Sequence, residues 1–126
     1  VKQLALRIAG FGFRREATVG SLGQALDQLV EQYGAIDKLA AARSMLPLVE
    51  ELGRLRGIEV ISVADAELPT VTTLTHSAQS LQARGTGSVA EAVALLAAGP
   101  NARLVGPRII SADRKATAAL AKGITE

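Results

Sequence analysis

From Ser88 to Ala98 the sequence reads as a helix with almost no polar face, because Val89, Ala92, Val93, Leu95 and Leu96 spread apolar side chains round its circumference. A helix apolar on nearly every side belongs in an interior, so other layers must close over it. Its ends are legible too. Ser88 and Glu91 have the spacing of a Ser-x-x-Glu capping box, and Gly99-Pro100 stops the helix.

The residues available to surround that helix are small. Of 126 residues 48% are hydrophobic but only 2% aromatic, so the core is built from Ala, Leu, Val and Ile, and Ala-rich helices can pack closely on their neighbours. That length suits a single domain, 1–126, able to bury one core without metal or disulfide staples.

Other segments alternate between strand and helix. Residues 4–9 read as a short apolar strand with only Arg7 interrupting. A helix is expected from Ser21 to Tyr33, with Leu22, Ala25, Leu26, Leu29, Val30 and Tyr33 on one face, Ser21 and Gln24 as caps, and Gly34 at its end. Residues 37–43 suit either a helix or a short strand. A second helix runs from about Ser44 to Arg56, with Pro47 in its first turn and Gly57 after its last. Ile58 to Val63 reads as a β-branched strand. Asp65 to Leu68 suits one helical turn before Pro69, and Thr70 to Thr75 is a polar connection with little to bury. A short helix is expected over Ser77 to Ala83, a strand over 102–106, and either a strand or a helix over 116–121. The alternation predicts an α/β fold, a three-layer α/β/α sandwich around a mixed or largely parallel sheet of about five strands.

Several functions are disfavoured at once. With no cysteine there are no disulfides, zinc thiolates or cysteine nucleophiles, which suits a cytoplasmic protein. No apolar run has the length of a membrane span, and no signal peptide is evident. The net charge of +2 is spread along the chain, and two Phe with one Tyr make a poor stacking platform, so nucleic acid is not an expected partner.

Chemistry concentrates in two glycine-bearing stretches. Gly10-Phe11-Gly12-Phe13-Arg14-Arg15 follows a strand and precedes a helix; its glycines permit close approach of backbone to a ligand, and its arginines offer planar charged forks for carboxylate or phosphate. Arg84-Gly85-Thr86-Gly87-Ser88 enters a helix N-terminus, where free N–H groups and two hydroxyls can hold a ligand oxygen, or where Ser88 acts only as a cap. Neither completes a dinucleotide fingerprint or a P-loop. His76, the sole histidine, stands between Thr75 and Ser77 and is the natural general base, with Glu91 as a second acid–base candidate. A lone imidazole without thiolates makes no protein-only transition-metal site, and no Gly-x-Ser-x-Gly elbow exists. Asp27, Glu31, Glu50, Glu51 and Glu59 fall mostly on polar helix faces or strand ends.

Together these residues resemble the family that comprises the cobalamin-biosynthesis protein CobE and the C-terminal domain of CbiG. The resemblance spans roughly residues 4–121. It rests on Gly10 to Arg15, on Thr75-His76-Ser77 followed by Gly87-Ser88-Val89-Ala90-Glu91-Ala92, and on the order of Leu39-Ala40, Arg43 through Pro47, Leu52, Gly57, Leu104-Val105 and Pro107-Arg108. Phe13 stands where the family often has Cys, and Arg43-Ser44-Met45-Leu46 where Lys precedes acidic residues.

The resemblance implies an α/β fold and a part in making the corrin ring. It favours a protein that binds or carries corrinoid or precorrin intermediates, handing them to other cobalamin-pathway enzymes, with no cofactor of its own. A precorrin-processing enzyme, a lactone hydrolase or isomerase using His76 or Glu91, is the alternative, and a phosphate or nucleotide binder a third reading. Corrinoid carboxylates could pair with Arg14, Arg15, Arg43 and Arg84. Gly10, Gly12, Thr75, Ser77, Gly85, Thr86, Gly87 and Ser88 complete the expected ligand contacts.

Overall fold

The computed structural model describes residues 4–77, 81 and 86–125. A six-stranded mixed sheet forms its centre. Strands β1 (Leu4–Phe13), β2 (Lys38–Ala42) and β3 (Val60–Val63) run parallel, in the spatial order β3-β2-β1. Strand β6 (Ala116–Thr125) lies antiparallel to β1 along its whole length and carries the two-residue strands β4 (Arg103–Leu104) and β5 (Ile109–Ile110) on its far side.

Two helices, α1 (Val19–Tyr33) and α2 (Leu46–Arg56), cover one face of the sheet, and α3 (Val89–Ala98) covers the other. The expected three-layer α/β/α sandwich is therefore present. Ala9 and Phe11 of β1, Leu39 and Ala41 of β2, and Ala116, Ala118 and Leu120 of β6 meet α1 and α2 in the larger core. Ala42, Met45, Val63 and Leu68 meet Val89, Ala92 and Val93 of α3 in the smaller one.

The scarcity of aromatic side chains follows from how close α3 lies to the sheet. A methyl group at Gly10 would fall on the carbonyl of Ala90 and 2.5 Å from the Ala94 nitrogen. At Gly12 it would stand 3.2 Å from the Ala90 nitrogen and the Val89 Cβ. Both glycines thus sit inside β1 rather than in a strand-to-helix turn, and the backbone they admit is that of α3. The same closeness resolves the two ambiguous alanine runs. Residues 38–42 and 116–125 are strands because the central sheet, covered on both faces, accepts small side chains that a helix would also tolerate.

Local chemistry moves several boundaries. Thr18, not Ser21, caps α1; Ser21 is the third helical residue and returns the bond to the Thr18 N–H, while Gln24 accepts from the Ala112 N–H. Arg7, the interruption in the first strand, sends its guanidinium to the carbonyls of Tyr33 and Ala35, where the last turn of α1 leaves acceptors unpaired. A 3₁₀ turn (Arg43–Met45) opens the second helix, and α2 carries Pro47 in its first turn. Ile58 donates to the Gly53 carbonyl beyond Gly57, so β3 starts only at Val60. The turn at Asp65 runs on through Pro69 to Thr70, a 3₁₀ helix whose geometry the fixed proline φ suits. Thr70 to Thr75 buries more than expected, because Thr73 is buried and Val71 packs on the smaller core. The strand expected over 102–106 shrinks to β4, and β5 was not foreseen. Most of the helix expected over Ser77 to Ala83 lies outside the described residues.

Candidate functional site

The carboxyl ends of β1, β2 and β3 leave the sheet along one edge. Their registers align Gly10 with Ala40, and Ala42 with Val63. Arg14 and Arg15 after β1, Arg43 after β2 and Asp65 after β3 therefore emerge side by side. All three arginines are exposed. Ligands of open α/β sheets characteristically bind outside such carboxyl ends.

The α3 N-terminus belongs to this edge as well, since Val89 and Ala90 abut Gly12, one residue before the end of β1. Ser88 caps the helix by accepting from the Glu91 N–H at 3.3 Å. The other half of the expected capping box is not made. The Glu91 carboxylate turns aside: Oε1 accepts from the Leu74 and Thr75 N–H groups at 2.8 and 2.9 Å, and Oε2 from the Thr75 hydroxyl at 3.1 Å and the Arg108 N–H at 2.8 Å. Glu91 is 0% exposed. It ties two loops to the first turn of α3, and the helix dipole favours a negative group there.

The loop so held carries the histidine. A Cβ on Gly87 would stand 2.5 Å from His76 Nδ1, 2.7 Å from the Thr75 carbonyl and 2.8 Å from Thr73 Oγ1, so the loop lies directly across Gly87. Ser77 closes the contact by donating its N–H to the Gly87 carbonyl at 2.8 Å. Thr75, His76, Ser77, Gly87, Ser88 and Glu91 are thereby one cluster, with His76 exposed and Glu91 buried. Thr86 lies two residues before the cap with its hydroxyl buried and without a hydrogen-bond partner among the described residues. Arg84 and Gly85 lie outside the described residues.

A separate polar cluster borders the edge at the β5–β6 turn. Asp113 accepts from the Ser111 hydroxyl at 2.5 Å, the Ser21 hydroxyl at 2.6 Å and the Lys115 N–H at 3.0 Å. These bonds, Ser111 first, hold its carboxyl down at about 2. Asp27 and Glu59 pair with Arg56 and Lys38 at 2.8 and 2.6 Å and stay largely exposed. Among the described residues no three metal-ligating side chains gather. No described helix is long and apolar enough to cross a membrane.

Sequence reasoning missed Leu74, Arg108 and the role of Arg7. Leu74 is 58% exposed beside His76. Arg108 was noted only as part of the Pro107-Arg108 pattern; its N–H and guanidinium reach Glu91 and Thr75.

Sheet order, layer packing and the helix N-terminus beside three aligned strand ends define an open-sheet α/β domain with a candidate site at the carboxyl edge. Residues 7–121 match the family model described as cobalamin synthesis G C-terminus, and the chain belongs to that family. A crystal structure of CobE, a protein from the cobalamin (vitamin B12) biosynthetic pathway, is 32% identical, with a TM-score of 0.84 over 97% of this chain and 93% of that one. The cobalamin biosynthesis protein ChiG from Agrobacterium tumefaciens str. C58 is 28% identical, with a TM-score of 0.70 over 92% and 97% of the two chains. A cobalamin biosynthesis protein G homologue from Sulfolobus solfataricus shares the fold at 20% identity and a TM-score of 0.74, over 93% of this chain and 36% of that one. Among curated protein sequences nothing matches the chain. The protein is thus a CobE/CbiG-like component of cobalamin biosynthesis.

Proposed function

We propose that this protein binds a corrinoid or precorrin intermediate by its carboxylates and carries it between enzymes of the cobalamin pathway. The supporting observation is the alignment of Arg14, Arg15 and Arg43, exposed and in no ion pair among the described residues, beside the α3 N-terminus. Guanidinium groups pair with carboxylates through two parallel bonds, and a corrin ring edge presents several carboxylates. The proposal includes a cytoplasmic location, which a cysteine-free chain suits.

A second reading makes the protein a lactone hydrolase or isomerase, and the exposure of His76 on a fixed loop favours it. Glu91 fits that chemistry poorly, since it is buried and four donors already occupy its oxygens. One titration separates the readings. Purified protein is mixed with pathway intermediates, and absorption spectrum and mass are followed. Bound, chemically unchanged corrinoid is the expected result. Turnover that His76→Ala abolishes establishes the enzyme instead, and nucleotide binding without corrinoid binding refutes both.

A further inference from the structure

The loop from Thr73 to Ser77 alternates strictly between the protein and the solvent. Thr73 is buried and its hydroxyl donates to the Thr75 carbonyl at 2.9 Å. Thr75 is half-buried on Glu91, and Ser77 is half-buried on Gly87. Leu74 and His76 are exposed, the first to 58%. An exposed leucine beside an exposed imidazole, on backbone tied at Leu74, Thr75 and Ser77, is a display rather than a slack connection.

The polarity of the bonds shows what fixes it. Arg108 Nη1 donates to the Thr75 hydroxyl at 3.0 Å, so the hydrogen of that hydroxyl is directed to Glu91 Oε2. Among the described residues the other three partners of Glu91 are backbone N–H groups, which can only donate. All four contacts therefore deliver hydrogens to one acceptor-only group. No other side chain of similar size accepts four hydrogens in this way. A glutamine must turn its amide donor toward at least one backbone N–H: toward Arg108 if its oxygen keeps Leu74 and Thr75, or toward both of those if it is flipped.

We infer that Glu91 is a positioning residue: a buried latch that joins the 73–77 loop and Arg108 to the start of α3, and so sets where Leu74 and His76 meet the ligand. The inference rests on the corrinoid reading of this edge. Leu74 offers apolar surface to the flat ring while His76 stands beside its polar rim, with Arg14, Arg15 and Arg43 on the strand ends. Glu91 itself touches no ligand.

The test has a ligand-free half and a ligand half. In Glu91→Gln, amide hydrogen exchange is expected to rise about tenfold or more at Arg108, or at Leu74 and Thr75 together, while Ala9 and Phe11 in β1 exchange as before. Unchanged exchange at those three amides, or uniform acceleration throughout, overturns the latch. In the ligand half the probe is a corrin ring with its acetate and propionate side chains free, titrated against four proteins: unsubstituted, E91Q, L74A/H76A, and the triple variant. A residue that acts through the display loses its effect once the display is gone. E91Q is therefore expected to weaken binding about tenfold in the unsubstituted background and less than about twofold in L74A/H76A. Equal loss in both backgrounds, or no loss in either, overturns the positioning role. Failure of the unsubstituted protein to bind the probe overturns the corrinoid reading and the positioning role with it, whatever the exchange experiment finds.

Discussion

Replacing Gly10 by alanine measures how tightly α3 is set against the sheet. The added methyl would fall on the Ala90 carbonyl, 2.5 Å from the Ala94 nitrogen and 2.7 Å from Val93 Cγ2. Carbon needs roughly 3.5 Å for favourable contact, so α3 would have to lift by about 1 Å. Two of the three obstacles are helix backbone, which has no rotamer to retreat to. Overpacking of this kind costs about 1–3 kcal/mol, and the upper end applies. Replacing a strand glycine returns about 0.5–1 kcal/mol of backbone entropy, leaving a net loss of about 2 kcal/mol. For a domain of this size that lowers Tm by roughly 6–10 °C. Two internal controls sharpen the test. Gly12 has its nearest obstacles at 3.1–3.2 Å, so Gly12→Ala requires only a few tenths of an ångström and is expected to stay within about 1 kcal/mol of the parent. Gly20, exposed in the first turn of α1 with its nearest obstacle at 3.4 Å, is expected to gain up to about 1 kcal/mol as alanine. Thermal and urea unfolding followed by circular dichroism should rank Gly20→Ala above the parent, with Gly12→Ala near it and Gly10→Ala well below. A Gly10→Ala protein that melts within 2 °C (roughly 0.5 kcal/mol) of the parent refutes the close approach of α3.

Two further outcomes follow from the edge. Arg14→Ala with Arg15→Ala is expected to weaken binding of a free-acid corrin about tenfold or more and to reduce its salt dependence, while Tm stays put; unchanged affinity in a binding titration would make both arginines solvated bystanders. Asp113, whose carboxyl is held at about 2 against an ordinary 3.8, adds stability that is fully present above pH 4 and lost as pH falls through 2. Asp113→Asn should therefore flatten the urea-midpoint profile between those limits, and an identical acid limb in both proteins would refute this contribution.

What could be read from the sequence was set by how local its cause is. The α3 helix was legible because its apolar circumference, Ser88 cap and Gly99 stop all lie within a dozen residues. Gly34 and Gly57 ended their helices for the same reason. The alanine runs at 38–42 and 116–121 were not decidable locally. Alanine favours helix in isolation, and only the two layers closing on the sheet make it a strand residue here. Strand β5 escaped because two residues carry no periodicity, and its existence depends on Ala118 and Thr117 of β6 as partners. Arg7 looked like a flaw in a strand; its reason, the open carbonyls at the end of α1, lies 26 and 28 residues away.

The candidate site divides along the same line. Its members in the 75–77 and 87–91 segments were recognisable as a pattern, yet the pattern mixed two kinds of residue that only tertiary contact separates. Gly10, Gly12 and Gly87 make room for backbone, α3 against β1 and the histidine loop against Gly87. Glu91 occupies the spacing of a helix cap but spends its carboxylate on residues 16 and 17 positions away. Arg14, Arg15, Arg43, Leu74 and His76 remain exposed. A change at the first group alters where the site stands and is read in stability and amide exchange. A change at the second is expected to alter what the proposed site can hold and to be read in binding with the fold intact. In the proposal made here, discrimination among corrinoid intermediates therefore resides in the three arginines and the Leu74–His76 pair, and substitutions confined to those five positions should shift ligand preference without shifting Tm.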